Sequence, residues 1–450
     1  MIVTATDAWA AGQQHDRPGT LPAPGLETML PPAARTVRDT GLDTQLLTSL
    51  LLKAAYDAGK TPLPVLAGKL RLSTGVLREL LTPMLAEQLV EVAWCGDSDI
   101  DVHYQLTLAG KQAAAACLAR SRYAGPAPVT LASYRAMVER QSVRQPEAQR
   151  ITPAELGAAL AGDGLAPATR ELIGAALHAN RGMLLHGPSG SGKSTLARKL
   201  GRLQRGVVAV PHAILIGNEI VQFYDALLHP APTSLQARQH EERRLPDLRW
   251  QLCQRPLVSV GAELSASMLD LRHDSTNGVY YAPPHFQANN GMLIVDDLGR
   301  QRMATADLIN RWIGPLDAGV DYLSLQGGNT EVVPFDMTLV FATNLAPGTL
   351  ADTAFLRRIG YKIALTPLSE DNYLTLLQRE CRVRGIAFDA AAADFLVRRL
   401  HGHAHPLLPS YPAELLGRVI DFSSFAGVAP RLSEAALAQA WNSLFTEELS

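Results

Sequence analysis

The segment GMLLHGPSGSGKST, residues 182–195, constrains this chain more than any other. An apolar run ends at a glycine, small residues follow, and Lys193 and Ser194 open the amphipathic stretch STLARKLGRL. Strand, glycine-rich turn and helix in that order are the context that G-x-x-x-x-G-K-[ST] requires, here from Gly187 to Ser194. Gly187, Gly190 and Gly192 let backbone N–H groups turn inward, and the helix N-terminus adds partial positive charge. Gly187, Pro188, Ser189, Gly190, Ser191, Gly192, Lys193, Ser194 and Thr195 are therefore expected to cradle phosphates. Lys193 would reach the β- and γ-phosphates and Ser194 would ligate Mg²⁺. A tight turn without ligand would need neither the lysine nor the hydroxyl.

A second segment fits the same chemistry. GMLIVDDLGR, residues 291–300, is an apolar strand ending in two carboxylates. Such a strand delivers its last residues to the C-terminal edge of a sheet, where ligands bind in α/β folds. Asp296 is placed to support Mg²⁺, and Asp297 to orient and polarise an attacking water. Glutamate is the usual residue at the second position, and aspartate is one methylene shorter.

Totals exclude more than they assign. The formal net charge of −2 gives no broadly basic surface for nucleic acid. The four cysteines form no CxxC pair, which argues against a disulfide framework or a structural zinc site. No run of eighteen apolar residues suggests a membrane span, and the N-terminus lacks a basic region followed by an apolar core. The expected location is the cytoplasm, without membrane insertion.

Composition divides the chain into parts. Residues 1–40 are rich in Pro and Gly and read as a flexible leader. Residues 41–122 give three helical patterns, then VEVAWCGDSDIDVHYQLT as two strands around a turn, then a fourth helix. Helix, helix, helix and β-ribbon make a winged-helix pattern. Its basic and acidic residues balance, and its tip, GDSDID, is acidic, so a protein partner is expected ahead of DNA. Residues 123–150 read as a connector with one helix, 151–365 as an α/β domain, and 366–450 as four helices, at about 368–384, 388–401, 412–425 and 432–446.

TLVFATN, residues 338–344, is another buried strand, ending in Asn344, and DTAFLRRIGYKIAL follows at 352–365. With the two motifs above, in this order, the chain resembles the AAA+ ATPases over residues 151–450. The resemblance implies a P-loop α/β sheet with a C-terminal four-helix lid, here preceded by the winged-helix domain. It implies that Asn344 is sensor 1, and that Arg358, or else Arg357, is an arginine finger acting on the neighbouring subunit of a homohexameric ring. VGAELSASMLDLRHDSTNGVYYAPPHFQANNGMLIVDD reads as a helix interrupted by the turn DSTNG, similar to the helix-2 insert of MoxR-type ATPases and enhancer-binding activators. VDYLSLQGGNTEVVPFDMTLVFATN matches a pre-sensor-1 hairpin. DDLGRQ and LINRWIGPL resemble segments of a group of stand-alone bacterial AAA+ proteins.

Departures from the family pattern are also visible. The activators' GAFTGA loop is absent, and the sensor-2 position after Pro412 is Ala413, leaving Arg418 as the alternative lid contact to ATP. The resemblance implies a Mg²⁺-dependent ATPase that remodels or assembles an unidentified protein client. An ATP-controlled DNA-binding regulator and a slow nucleotide-gated scaffold are the alternatives. HGHAHP could hold a metal but has no carboxylate or thiol beside it, so a loop at a helix end is the simpler reading.

Overall fold

The computed structural model describes residues 30–95, 102–145, 150–232, 245–350 and 353–445. Most of the leader (1–29), the ribbon tip GDSDID, and most of the charge run near residue 240 lie outside these ranges.

The amino-terminal unit has the expected element order. Helices Thr44–Ala58, Leu63–Leu70 and Thr74–Ala86 come first, then strands Val90–Cys95 and Val102–Leu106, then helix Leu108–Arg120. Asp43 caps the first helix through Gln45 N, and Ser73 caps the third through Val76 N. Leu47, Leu50, Leu66, Leu77 and Leu80 recur at helical spacing and fill one core. The leader does not end at residue 40. Val37 and Leu42 belong to this core, Val37 N donates to Glu79 (2.7 Å), and Ser73 Oγ donates to the Ala34 carbonyl (2.6 Å). Proline-rich composition misled here because these residues are fixed by non-local hydrogen bonds.

The connector is likewise part of a folded body. Its helix, Leu131–Arg140, buries Tyr134, Met137 and Val138. Its strand Val129–Thr130 edges a five-stranded sheet ordered Arg272–Asp274, Val279–Tyr281, Glu219–Gln222, Ala213–Ile216, Val129–Thr130. A ribbon of Val207–Pro211 with Trp250–Gln254, and the hairpin Val320–Ser324 with Thr330–Pro334, share its apolar core. The hairpin before Asn344 is thus present as expected. The interrupted helix is not: Arg272–Asp274 and Val279–Tyr281 pair antiparallel across the DSTNG turn. Asp274 accepts from Thr276 N and Asn277 Nδ2, and Gly278 is left-handed at φ +58°, so turn chemistry and β-formers outweigh the helical reading. Tyr280 is buried in that core, and Arg272 stacks over Tyr281 at 4.7 Å.

The second sheet is wholly parallel, with order Leu257–Val260, Met292–Val295, Thr338–Thr343, Met183–His186, Tyr361–Ala364. Its three inner strands are almost continuously buried, as a sheet covered by helices on both faces demands. This order puts the loop strand Met183–His186 directly beside Thr338–Thr343, which in turn lies beside Met292–Val295. All three run in one direction, so the glycine loop, Asp296 and Asn344 emerge at the same edge.

Four helices close the chain: Glu370–Val383, Ala390–Gly402, Ser410–Phe425 and Glu434–Leu444. Tyr373, Leu377, Leu396, Leu400, Leu415, Leu416 and Trp441 form their core. The HGHAHP rings join it: His403 and His405 lie 5.4 and 5.6 Å from Trp441, and His405 lies 4.3 Å from Phe445. Among the described residues no group of three His, Cys, Asp or Glu could hold a metal. No described helix is long and apolar enough to cross a membrane.

Candidate active site

The loop's shape is a matter of backbone sign. Gly187, Gly190 and Gly192 have φ of +150°, +81° and +84°. A Cβ at Gly187 would lie 2.2 Å from the Leu365 carbonyl, on the neighbouring strand's exit, so no side chain fits there. Gly192 caps the helix Lys193–Arg202 in the left-handed region, which aims the helix N-terminus at the loop interior.

Lys193 is buried and folds back over the loop. Its ammonium donates to the carbonyls of Gly187 (3.0 Å) and Pro188 (2.7 Å) and to Ser191 Oγ (3.3 Å). Burial lowers its pKa, and the fields of Asp297 and Asp296 act against that shift. Ser194 Oγ donates to Asp296 Oδ1 at 2.8 Å, across more than a hundred residues of sequence. A hydroxyl and a carboxylate meeting at the mouth of a phosphate loop fit Mg²⁺, a hard cation that takes few protein oxygens and completes its shell with phosphate and water.

Asp297 has φ +49°, a left-handed conformation that aspartate and asparagine tolerate better than other side chains. Its exposed carboxylate opens on the cleft. Gln301 fixes this turn: Nε2 donates to the carbonyls of Asp296 (2.9 Å) and Asp297 (3.1 Å), and Oε1 accepts from Gly299 N (2.9 Å). The sequence reading did not select Gln301 as a site residue, although DDLGRQ carried it.

Lys193, Ser194, Asp297 and Asn344 line one cleft of ≈ 580 Å³. Ser189 to Thr195, Asp297 and Asn344 form its floor, and the lid contributes Arg379, Glu380, Ser410, Ala413 and Glu414. The lid touches the loop itself, because Ser410 N donates to the Gly190 carbonyl at 3.2 Å. Arg418 is not on the cleft. It stands about 12 Å further along its helix than Ser410 at 1.5 Å per residue. Its guanidinium folds back to the Glu414 carbonyl (3.1 Å), and it lines an adjoining surface depression with Asp421, Phe422 and Ser443.

Neither Arg357 nor Arg358 lines the cleft of its own chain. Arg358 is held in cis: Nε lies 2.8 and 2.7 Å from the Asp317 carboxylate oxygens, and Nη1 donates to the Ala354 carbonyl (2.8 Å). Arg357 is exposed and has no hydrogen bond or ion pair among the described residues.

Residues 369–443, the lid, match a family described as Domain of unknown function (DUF8689). No curated protein matches the chain by sequence. Among solved structures, the chain is similar to the Thermotoga maritima RuvB Holliday junction branch migration motor. That overlap has 16% identity, covers 62% of this chain and 68% of that one, and has a TM-score of 0.35. It is also similar to NtrX from Brucella abortus in complex with ATP, at 14% identity over 70% of this chain and 62% of that one, with a TM-score of 0.39. The fold assignment rests on the sheet order and the loop rather than on these overlaps. A glycine loop on one strand, paired carboxylates two strands away, Asn344 between them and a helical bundle above make this an α/β P-loop fold.

Proposed function

We propose that the chain is a Mg²⁺-dependent AAA+ ATPase that works as a ring, a homohexamer, and acts on a protein partner. The observation that carries this reading is the single cleft joining Lys193, Ser194–Asp296, Asp297 and Asn344 beneath the lid. Lys193 leaves its loop carbonyls for the β- and γ-phosphates, and the loop N–H groups hold the rest. Ser194 and Asp296 would hold Mg²⁺, which would supply positive charge against the phosphates. Asp297 accepts a proton from the attacking water, and Asn344 positions that water. A neighbouring subunit's Arg357 or Arg358 completes the site. Arg357 is favoured because it reaches outward without first giving up a partner in its own chain.

The amino-terminal unit is read as a winged helix that docks the partner, in the cytoplasm. Val92 and Trp94 on its ribbon are each 49% exposed. A phosphate-release assay with Mg²⁺ and ATP tests the enzyme reading. Turnover that depends on protein concentration and disappears in Lys193→Ala supports it; tight ATP binding without turnover favours the nucleotide-gated scaffold, to which Ala413 at the lid contact points. A duplex-DNA shift at low salt would instead favour the regulator.

A further inference from the structure

The lid is tied to the core at a second place besides Ser410. Asp163 sits in the loop between the helices Pro153–Ala159 and Pro167–His178, flanked by two left-handed glycines, Gly162 (φ +75°) and Gly164 (φ +68°). Its carboxylate is 13% exposed and accepts from two cations at once. Lys199, on the phosphate-loop helix, donates at 2.6 and 2.7 Å. Arg379, on the first lid helix, donates at 2.9 Å and reaches the Gly162 carbonyl at 3.1 Å. Glu380 takes the other arm of Arg379 at 3.1 Å and also pairs with Arg384. The loop packs tightly under the lid, because a Cβ at Gly164 would lie 3.0 Å from Leu368.

We propose that Asp163 and Arg379 are lid-positioning residues for bound nucleotide. They set the lid's angle over the cleft in place of the arginine that is missing at Ala413. Three bodies meet at one carboxylate: the loop around Gly162, the helix that begins with Lys193, and the lid. Lys199 follows Lys193 by six residues, so a shift of the phosphate-loop helix on nucleotide binding moves the anchor that Arg379 shares. The cluster lines the same cleft as the phosphate loop, so closure of the lid on a ligand and the Asp163–Arg379 pair act on one another directly. The inference rests on the nucleotide-binding reading above.

The test uses the full chain, hydrogen–deuterium exchange without nucleotide, and equilibrium binding of a fluorescent ATP analogue. Arg379→Gln and Asp163→Asn are expected to speed exchange in 160–165 and 370–383 and to weaken the analogue about tenfold, a usual size for coupling between sites. Arg379→Lys keeps the charge but not the planar fork that reaches Gly162, Asp163 and Glu380 together, so it should recover only part of each. Arg384→Gln breaks only a contact inside the lid and should leave both unchanged. The proposal is overturned if Arg379→Gln leaves exchange and affinity at wild-type values, or if Arg384→Gln loosens the same segments equally. A wild-type chain that binds no analogue defeats the ATPase reading, while the exchange arm still reports on the coupling.

Discussion

Asp297 joins backbone geometry to chemistry, and the two can be separated by substitution. At φ +49° a β-carbon approaches the following carbonyl, a strain of about 1–2 kcal/mol per residue that Asp and Asn partly offset through local hydrogen bonds. Asp297→Asn keeps that offset and loses the proton acceptor. It should melt with the wild type, bind ATP, and lose about 10²–10⁴-fold in turnover. Asp297→Ala loses both and should melt lower by about 2–4 °C per kcal/mol of strain, as for a domain of roughly 200 residues. Asp297→Glu restores the family's usual carboxylate, but glutamate tolerates the left-handed region less well than aspartate, so no gain in turnover is expected. Thermal melts and a phosphate-release assay on the four proteins are sufficient. If Asp297→Asn keeps more than a tenth of wild-type turnover, Asp297 is not the water activator. If Asp297→Ala melts with Asp297→Asn, the backbone explanation for aspartate here fails.

Other expectations follow from the same geometry. Lys193→Ala should abolish ATP binding in a titration calorimeter, while Ser194→Ala should bind ATP but lose the Mg²⁺ dependence of its affinity, because the hydroxyl facing Asp296 is gone. Arg357→Ala should cut turnover by about 10³-fold or more, the size of an arginine-finger effect, and be rescued in mixed rings. Arg358→Ala should act mainly by freeing Asp317; the opposite ranking in a mixing assay would return the finger role to Arg358. His212 is held neutral, its pKa pushed down to about 4 by burial and by the Arg71 charge. Since the unfolded ring binds its proton near 6.5, the unfolded state takes up more protons below that pH, and stability should fall as pH drops from 6.5 to 4. Melting of His212→Phe should be flatter across that window, and an identical slope would count against the assignment.

Sequence determined the chemistry wherever function is written as a local string. The Gly187–Ser194 loop needs glycines of one backbone sign and a lysine at the helix start, and no distant residue can change that requirement. The lid helices and the amino-terminal helices were equally legible, because apolar spacing and Ser or Asp caps are local signals. The second β-body was not. Its strands come from residues 129–130, 213–222 and 272–281, with a ribbon and a hairpin added, and their pairing carries no local mark. The DSTNG turn is legible in the string, but the strands that pair across it are not. Tertiary structure also decided how the arginines are used. Arg358 and Arg418 are ordinary exposed arginines in sequence, yet one is clasped by Asp317 and the other turns to Glu414. Arg379, unmarked in the sequence, reaches Asp163 only because the lid folds back over the phosphate-loop helix. Ion pairs between bodies depend on where whole helices end up, and that placement is a property of the packed chain.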